Sequence, residues 1–468
     1  MIVHKFGGTS VGDAQRFAAV ADIVQEHHTR NRSGEPPGTV VVLSAMSGVT
    51  DQLISGARAA ATGRDDVYRE IKAGLLKRHL EVVEGLLRQS AERLDVGGLV
   101  EDRLHELERL YRSIAVLGEL TARGADTVAS FGELLSSSIL AAALRERGLR
   151  AQAVSATELL VTDDQFGAAT PSMDLTRQQL LQRIKPMAER DVVPVITGYI
   201  GATEEGVTTT LGRGGSDFSA ALIGAGLDAD EVWIWSDVDG ILTADPNLVP
   251  QARTLTELSY AEAADLAYYG ADVLHPKTIR PVIEYGIPLR ILNSFNPAHA
   301  GTRIVEVPSA DRNLLPAIIS TTGLSLIAIG SQHEVWGLKT AARALRKLSE
   351  TGVDVLMFSQ SFSEHSLNLI VREQDQAHCL RTLRQAFKNG SSYELESKEQ
   401  VATISVVGVS DWNGNGIVSH AFAALGQHGT RVIAVAQAAT EHAVSFCIPV
   451  EQVADTVRFL HRELGLEN

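Results

Sequence analysis

Short apolar runs separate longer helix-compatible stretches along the N-terminal part of the chain. Strand-like runs cover residues 2–6, 40–43, 192–196 and 231–235, and a helical pattern covers residues 13–28. Each strand-like run is rich in β-branched residues and is closed by small polar residues. Strands without polar alternation are typical of a parallel sheet whose two faces are covered by helices. The pattern therefore predicts a doubly wound α/β domain, which binds ligands at the carboxyl ends of its strands.

A region without strand signals interrupts this pattern from about residue 67 to residue 120. Its leucines recur three residues apart, as at Leu104, Leu107 and Leu110, and such spacing is typical of amphipathic helices. We interpret the region as a helical insertion, bounded at about residues 60–125, within a first domain at residues 1–305. A separate functional module is the less favoured interpretation.

An internal repeat follows a proline-containing linker in the C-terminal part of the chain. Gln360 and Gln437 lie 77 residues apart, and at least seven identities share that offset. Each copy reads strand, helix, strand, strand, helix, the order of a ferredoxin-like unit. The sequence therefore predicts a first module at residues 316–397 and a second at residues 398–468.

The second copy lacks a last strand, because the chain ends soon after its final helix near residues 453–464. The first copy opens with a strand at residues 325–329 and is preceded by a spare strand at residues 317–320. We expect the spare strand to complete the sheet of the second copy, so that the two modules are interleaved.

Composition and charge narrow the possible functions. Of the 468 residues, 44% are hydrophobic and 21% are charged, which argues against a disordered or fibrous protein. The 42 Lys and Arg against 57 Asp and Glu give a net charge of −15. This acidity, without a basic run, argues against nucleic acid and anionic membranes as partners.

Targeting and redox signals are equally plain. No apolar stretch approaches the ~18 residues that span a bilayer, and the first apolar run is too short for a signal peptide. The two cysteines, Cys379 and Cys447, are too few for a disulfide scaffold or a cysteine zinc site. These features predict a protein of the reducing cytoplasm.

The strongest local motif is Gly-Arg-Gly-Gly-Ser-Asp at residues 212–217, followed by a helix-compatible run at 218–224. Glycines at the start of a helix let backbone N–H groups approach an anion, and the helix dipole favours negative charge there. Arg213 adds a guanidinium that matches a carboxylate or a phosphate. The motif alone leaves an ordinary Ser or Asp helix cap open as an alternative.

Two other strand ends carry candidate chemistry. Lys5 ends the first strand just before Gly7 and Gly8, where a lysine beside a glycine loop can clamp phosphate. The spacing is not that of a Walker A motif, which excludes a P-loop NTPase. Asp237 and Asp239 close another strand; paired aspartates can hold Mg²⁺ or ribose hydroxyls, or simply build turns.

Four motifs together, at residues 5–11, 212–217, 236–240 and 273–276, resemble those of aspartate kinase. The resemblance covers essentially the whole chain, including the helical insertion and the repeats, which resemble paired ACT domains. It implies transfer of the γ-phosphoryl group of ATP, with Mg²⁺, to the side-chain carboxylate of L-aspartate. The product would be 4-phospho-L-aspartate, a precursor of lysine, threonine and methionine. Because the chain ends after the second repeat, we expect a monofunctional member without a homoserine dehydrogenase domain.

The resemblance also implies roles for individual residues. For catalysis they are Lys5, Arg213 and Asp217, with Asp217 orienting Lys5. For ATP they are Lys5, Gly7, Gly8, Ser236, Asp237, Ile241 and Lys277. For aspartate they are Ser44, Thr50, Glu133, Arg213 and Ser216, with Arg213 on the α-carboxylate and Glu133 on the amino group. For an amino-acid effector they are Gln360 and Gln437, which resemble threonine-responsive members more than lysine-responsive ones.

The residues agree with this chemistry. The aspartate side chain has a pKa of about 3.9 and is ionised at pH 7, so it needs no general base. The remaining barrier is the approach of two anions and the charge that spreads over the phosphoryl group. Lys5, the N–H groups of Gly7 and Gly8, and Mg²⁺ would stabilise that charge.

Two positions depart from the family pattern, and two other functions stay open. Asn247 stands where an arginine near the nucleotide phosphates is common, and Asp272 stands where a lysine is usual.

One alternative function is that of a related kinase acting on glutamate or N-acetylglutamate, and the other is that of a sensor without catalysis. The repeats predict either effector binding or a dimerisation platform, and both imply a homo-oligomer formed through the ACT modules.

Overall fold

The computed structural model describes residues 1–30, 38–268, 274–309, 315–331, 338–361, 366–387, 393–408, 416–437 and 443–467. Its contacts divide the chain into two compact units. The first unit comprises Met1–Ile241, Thr256–Ala264 and Asp272–Asp311, and the second comprises Leu242–Leu255, Asp265–Ala271 and Arg312–Asn468. The predicted boundary near residue 305 takes no account of the two early segments of the second unit, and it stays a prediction.

The first unit is built on an eight-stranded sheet in the order β3-β4-β2-β1-β7-β9-β10-β8. Neighbouring strands are parallel except for the antiparallel pair β9 and β10. The predicted doubly wound parallel sheet is therefore confirmed. The strands of this region, including the separate hairpin β5–β6, are β1 (Ile2–Phe6), β2 (Thr39–Leu43), β3 (Ala151–Val154), β4 (Val193–Thr197), β5 (Ile200–Ala202), β6 (Thr208–Thr210), β7 (Glu231–Ser236), β8 (Glu257–Ser259), β9 (Leu289–Asn293) and β10 (Thr302–Val305).

The four strands expected from the apolar runs are β1, β2, β4 and β7, and they lie side by side in the sheet. The side chains of β2 and β4 are buried along the whole strand, because helices cover both faces. The helices of the region are α1 (Ala14–Arg30), α2 (Val49–Ala61), α3 (Asp65–Leu86), α4 (Ser90–Leu117), α5 (Ala122–Ala129), α6 (Phe131–Glu146), α7 (Met173–Arg183), α8 (Lys185–Glu189), α9 (Gly215–Gly226), α10 (Tyr260–Tyr268) and α11 (Pro276–Glu284).

Helices α3 and α4 lie within the region predicted as a helical insertion, and α2, which precedes that region, packs against both of them. Leu104 and Leu107 are fully buried, as their helical spacing predicts. Tyr111 is buried one turn further on, and its hydroxyl donates to the carbonyl of Leu53 at 2.8 Å. The insertion therefore shares the hydrophobic core of the sheet.

One expectation from the sequence needs correction, because a helical run is long and apolar enough to span a membrane. The run is Ala122–Glu146, made of α5 and α6, and 83% of its apolar window is buried inside the protein. Helix α6 packs against β3, β4 and α4, so partners surround it. A helix that is apolar on all sides is typical of a protein core as well as of a membrane, and we interpret this run as a core helix.

The second unit contains a six-stranded antiparallel sheet in the order β12-β13-β11-β14-β16-β15. Among the described residues from 315 onward, four α-helices belong to it, and their apolar faces pack on the strands. Its strands are β11 (Ala317–Ser331), β12 (Val355–Ser361), β13 (Ser366–Arg372), β14 (Tyr393–Val407), β15 (Ala434–Gln437) and β16 (Ala443–Pro449), and its helices are α12 (Leu338–Glu350), α13 (Gln376–Ala386), α14 (Ile417–His428) and α15 (Val453–Glu463).

The two modules are interleaved, as predicted. The beginning of β11 pairs with the strand that opens the second copy, with Ile318 opposite Val406. The rest of β11 pairs within the first copy, with Ile327 opposite Leu369. The predicted spare strand and the first strand of copy one are not separate, however. They form one strand with a register shift after Thr321, because the chain bends without leaving the sheet.

Candidate functional site

A cavity of about 520 Å³ opens at the carboxyl ends of the central strands of the first unit. Its walls come from the loops after β1, β2 and β4, from α6, and from the start of α9. The structure brings eight of the predicted site residues to this cavity, and they are Lys5, Gly8, Ser44, Thr50, Glu133, Arg213, Ser216 and Asp217. These residues are distant in sequence, so the sheet assembles the candidate site.

Backbone hydrogen bonds between the strand ends form the floor of the cavity. The N–H of Gly7 donates to the carbonyl of Trp235 at 3.2 Å, and the N–H of Ser44 donates to that of Phe6 at 3.2 Å. A side chain at Gly8 would place its Cβ 2.9 Å from the carbonyl oxygen of Ala45. A glycine is therefore required here, because the two loops approach too closely for any other residue.

Lys5 and Asp217 form an ion pair at this cavity, with side chains that are 10% and 17% exposed. Asp217 lies in the first turn of α9, whose cap residue Gly214 has a φ of 72°. A side chain at Gly214 would place its Cβ 2.6 Å from the Cβ of His275. This tight turn aims the start of α9 at the end of β1, and so holds the Lys5 ammonium at the cavity.

Glu133 is the buried acid of the site, with only 3% of the residue exposed. Its Oε1 accepts a hydrogen bond from the N–H of Ala45 at 3.2 Å. Its Oε2 is buried and has no hydrogen-bond partner among the described residues. Burial raises the pKa of Glu133 to about 8, against the smaller opposing effects of the Ala45 N–H and the Lys5 charge. The carboxyl is therefore mostly protonated at pH 7 and would ionise beside a bound cation.

Arg213 lies at the exposed part of the same cavity. It is held between two glycines with left-handed backbone, Gly212 at φ 76° and Gly214 at φ 72°. A cavity that contains both Arg213 and the buried Glu133 offers one group for a carboxylate and one for an ammonium. Free α-amino acids carry both charges.

Sequence reasoning missed two residues that shape this cavity. Asp126 is buried; its Oδ2 accepts from the N–H groups of Gly167 and Thr210, both at 2.9 Å, and its Oδ1 from the Thr210 hydroxyl at 2.8 Å. Tyr199 lines the cavity with a φ of 68°, a conformation that costs energy in a residue other than glycine. Burial raises the pKa of its phenol. The only signal was the Thr-Gly pair that precedes Tyr199, whereas nothing local marks Asp126.

The remaining residues expected to face ATP do not line this cavity. Ser236 ends β7, next to β1, and its carbonyl accepts from the N–H of Ser294 at 2.9 Å. Asp237 is exposed, Ile241 is buried, and Lys277 is exposed in the first turn of α11. Gly7 lies beside Lys5, since a Cβ there would be 3.6 Å from Nζ.

The carboxylate of Asp239, one of the paired aspartates, accepts hydrogen bonds from nearby asparagine side chains. Oδ1 of Asp239 accepts from the side-chain amides of Asn293 at 2.9 Å and Asn296 at 3.1 Å. This favours a turn-building role for Asp239. Within the described parts of the chain, no group of three or more His, Cys, Asp or Glu side chains is arranged to hold a metal ion.

Of the two departures from the family pattern, only one can be described. The backbone N–H of Asn247 donates to Oδ1 of Asp245 at 2.9 Å, and its side-chain amide donates to the same oxygen at 3.0 Å. Asn247 thus stabilises the turn that follows Asp245. Asp272 lies outside the described residues.

The two candidate effector residues lie at or near the ends of β12 and β15, which are the two edge strands of the six-stranded sheet. Gln360 lies near the end of β12 and Gln437 ends β15; these two strands also contact each other. The Gln360 Nε2 is buried and has no partner among the residues that the structure describes, whereas Gln437 is exposed. A buried amide donor without a partner is costly, and a bound ligand would remove that cost.

Comparison with known proteins shows which families the two parts of the chain resemble. A model of the amino acid kinase family matches residues 1–293, and a model of the ACT domain matches residues 338–387 and 404–464. The chain is 32% identical to chloroplastic aspartokinase 1 of Arabidopsis thaliana, over 98% of its own length and 79% of that protein. It is also 32% identical to chloroplastic bifunctional aspartokinase/homoserine dehydrogenase 1 of Zea mays, over 99% of its length and 50% of that protein. The chain thus spans about half the length of the bifunctional relatives that it matches.

Solved structures agree over the full chain. Escherichia coli aspartokinase III in complex with aspartate and ADP, in its R-state, superposes with a TM-score of 0.82 at 28% identity, covering 99% of this chain and 100% of that one. The same enzyme in complex with lysine and aspartate, in its T-state, gives 0.80 at 28% identity, covering 99% of both chains. The chain belongs to the amino acid kinase family and, within it, to the aspartokinases.

Proposed function

We propose that this protein transfers the γ-phosphoryl group of MgATP to the side-chain carboxylate of L-aspartate, giving 4-phospho-L-aspartate and ADP. The observation that carries the proposal is the unpartnered, buried Oε2 of Glu133 at the cavity that also contains Arg213. An aspartate ammonium would satisfy Glu133, and its α-carboxylate would pair with Arg213. Its side-chain carboxylate would then point toward the Lys5 end of the cavity.

The chemistry asks for charge stabilisation rather than proton transfer. The substrate carboxylate is ionised at pH 7, so it attacks phosphorus without a base. Lys5 is proposed to stabilise the negative charge that spreads over the transferring phosphoryl group. Asp217 positions the Lys5 ammonium through their ion pair. Mg²⁺ would enter with ATP as part of the substrate.

The nucleotide side of the proposed site is formed by Ser236, Asp237, Ile241 and Lys277 beside Gly7 and Gly8. Support comes from the sheet order, because β7, which ends at Ser236, is the direct neighbour of β1, which leads into Gly7. In this arrangement the polyphosphate would approach Lys5 from the β7 side. Ser44, Thr50 and Ser216 would contact aspartate from the other walls.

Three considerations favour this reaction over phosphorylation of N-acetylglutamate and over a sensor without catalysis. N-acetylglutamate offers Glu133 one neutral amide N–H in place of an ammonium, so it would lose the charge pair that the buried carboxylate can form. A sensor without catalysis would have no need for a lysine ion pair at the cavity. The E. coli relative that superposes over the whole chain binds aspartate and ADP, which supports the same assignment.

A coupled assay of ADP release, with hydroxylamine to trap acyl phosphate, tests the proposal. We expect aspartyl hydroxamate with L-aspartate and MgATP, and far less product with L-glutamate or N-acetyl-L-glutamate. Faster product formation with either of these would assign the other carboxylate. Binding of aspartate without ADP release under any condition would make the protein a sensor.

We also propose that the ACT modules bind threonine or lysine and thereby control the kinase, with Gln360 as one contact. The relative from E. coli binds lysine, whereas the glutamines of this chain resemble threonine-responsive members more. Gln360→Ala should keep basal kcat and lose sensitivity to the effector by roughly 10-fold or more, since a hydrogen bond to a charged group contributes ~1.5–3 kcal/mol. Gln437→Ala is the matched variant at the exposed position. A wild type that responds to neither amino acid would leave the modules as a dimerisation platform.

A homo-oligomer formed through the ACT modules and a cytoplasmic location complete the proposal. Both cysteines of the chain are buried free thiols, which supports a reducing compartment. Light scattering after size exclusion would give the mass of the particle. A monomer at micromolar concentration would contradict the oligomer.

A further inference from the structure

A short excursion of the chain joins the candidate nucleotide side to the C-terminal module. After Ile241 the chain leaves the first unit, contributes Leu242–Leu255 to the second unit, and returns to the first at Thr256. We call Leu242–Leu255 the excursion. It begins one residue after Ile241, which the proposed function places beside the nucleotide.

The excursion is closed by its own hydrogen bonds. Leu242 and Thr254 form an antiparallel bridge. The N–H of Thr243 donates to the carbonyl of Arg253 at 2.8 Å, and the N–H of Arg253 donates to the Thr243 hydroxyl at 2.9 Å. The excursion therefore behaves as a hairpin rather than as a loose loop.

Two apolar side chains anchor the excursion in the second module. Ala244 and Val249 are buried, at 4% and 3% exposure, in the same hydrophobic cluster as Phe446 and Leu460. Removing such contacts would uncover apolar surface on both partners. The excursion is thus part of the core of this module.

Three hydrogen bonds fix its position on the module. The carbonyl of Thr243 accepts from the N–H of Ile318 at 2.7 Å. The hydroxyl of Thr243 and Nε2 of His461 are 2.9 Å apart, and both residues are fully buried. Nε of Arg458 donates to the carbonyl of Leu248 at 3.0 Å. Two of these bonds come from helix α15, on successive turns.

We propose that His461 and Arg458 are positioning residues for MgATP binding, acting through Thr243 and Leu248. The inference rests on the proposed function, because it requires the nucleotide to lie beside Ile241. The N–H of Ile241 is itself held by the Thr302 hydroxyl at 2.8 Å. Only Leu242 separates that anchor from Thr243, so displacement of the excursion would reach the nucleotide side directly.

The test compares variants by steady-state kinetics and by calorimetric binding of MgADP. Thr243→Val removes the hydroxyl and keeps the shape, whereas Thr243→Ser restores the hydroxyl. Arg458→Ala removes the bond to Leu248 at an exposed position, and Glu463→Ala is its control on the same helix. We expect Thr243→Val and Arg458→Ala to raise the KM for MgATP and the Kd for MgADP at least three-fold. In these two variants, the aspartate KM and the kcat at saturating MgATP should stay within two-fold of wild type. All measured constants of Thr243→Ser and Glu463→Ala should also stay within two-fold of wild type.

Other outcomes overturn the inference. Unchanged MgADP affinity in folded Arg458→Ala would contradict it. So would a variant in which kcat falls and the KM values for MgATP and aspartate rise by the same factor. If Thr243→Val fails to fold, Arg458→Ala decides alone, because its side chain is 55% exposed. If the wild type binds MgADP but forms no aspartyl hydroxamate, the proposed function is wrong. The present inference would then be tested by the MgADP affinities of the variants alone.

Discussion

In the proposed site, Glu133 would couple aspartate binding to proton release, because its pKa of about 8 would fall when the substrate ammonium pairs with it. Below pH 8 the free protein holds a proton on Glu133 that the proposed aspartate complex would release. We therefore expect release of close to one proton on aspartate binding at pH 7, and an aspartate KM that falls as pH rises from 6 to 8. Calorimetry in two buffers of different ionisation enthalpy measures the proton directly.

The control for this prediction is Glu133→Gln, which cannot ionise. It should bind aspartate more weakly, by roughly 2–5 kcal/mol if the contact is a buried charge pair, and without proton release. Equal proton release in wild type and Glu133→Gln would place the linkage on another group. Unchanged aspartate affinity in the variant would remove Glu133 from the substrate site.

Lys5 should act on the transition state more than on the bound substrates. Lys5→Ala is expected to lower kcat more than 10-fold, or about 1.4 kcal/mol of barrier, with little change in the aspartate KM. Lys185→Ala, at an exposed position in α8, is the matched loss of a lysine and should leave kcat unchanged. Retention of a tenth or more of wild-type kcat by Lys5→Ala would exclude Lys5 from catalysis.

At the scale of elements, the sequence predicted what depends on local pattern. Apolar runs marked β1, β2, β4 and β7, because the residues of these strands are buried or partly buried and none is exposed. The sequence predicted two separate strands in place of β11, because the polar residues around the register shift of β11 resemble a turn. The excursion was missed for another reason. Its anchors, such as His461, lie more than two hundred residues away, and no local period encodes such contacts.

Asp126 is an element-scale example, since one side chain holds two loops of the cavity. Asp126→Asn replaces one acceptor oxygen with a donor, which would face N–H groups of Gly167 or Thr210. Leaving buried donors unsatisfied costs ~1–3 kcal/mol. We expect lower thermal stability and a higher aspartate KM, measured by unfolding scans and kinetics.

Asp163→Asn is the comparison for Asp126→Asn. Asp163 also accepts backbone N–H groups, from Gln165 and Thr170, but at an exposed position. Water can replace those bonds, so the change should be small. Equal effects of the two variants would mean that burial of Asp126 does not matter to the cavity.

At the scale of the molecule, the charge of the protein opposes its proposed substrates. A net charge of −15 repels both aspartate and ATP at long range. Under the proposed function, binding would therefore depend on local groups, namely Lys5, Arg213 and the N–H groups of the glycine loops. Because these groups act at short range, we interpret the acidic surface as serving solubility rather than recognition.

The shared sheet makes the two modules dependent on each other, and truncation after residue 399 tests this. The truncated protein loses the strand opposite Ala317–Thr321 and the core that covers Ala244 and Val249. An unpaired strand edge next to exposed apolar side chains promotes aggregation. We therefore expect a protein that scatters light and binds a hydrophobic dye, rather than a soluble kinase that has merely lost its effector response. Gln437→Ala keeps every strand and should remain monodisperse. A soluble, active truncation with an unchanged KM for MgATP would show that β11 and the excursion do not need the second module.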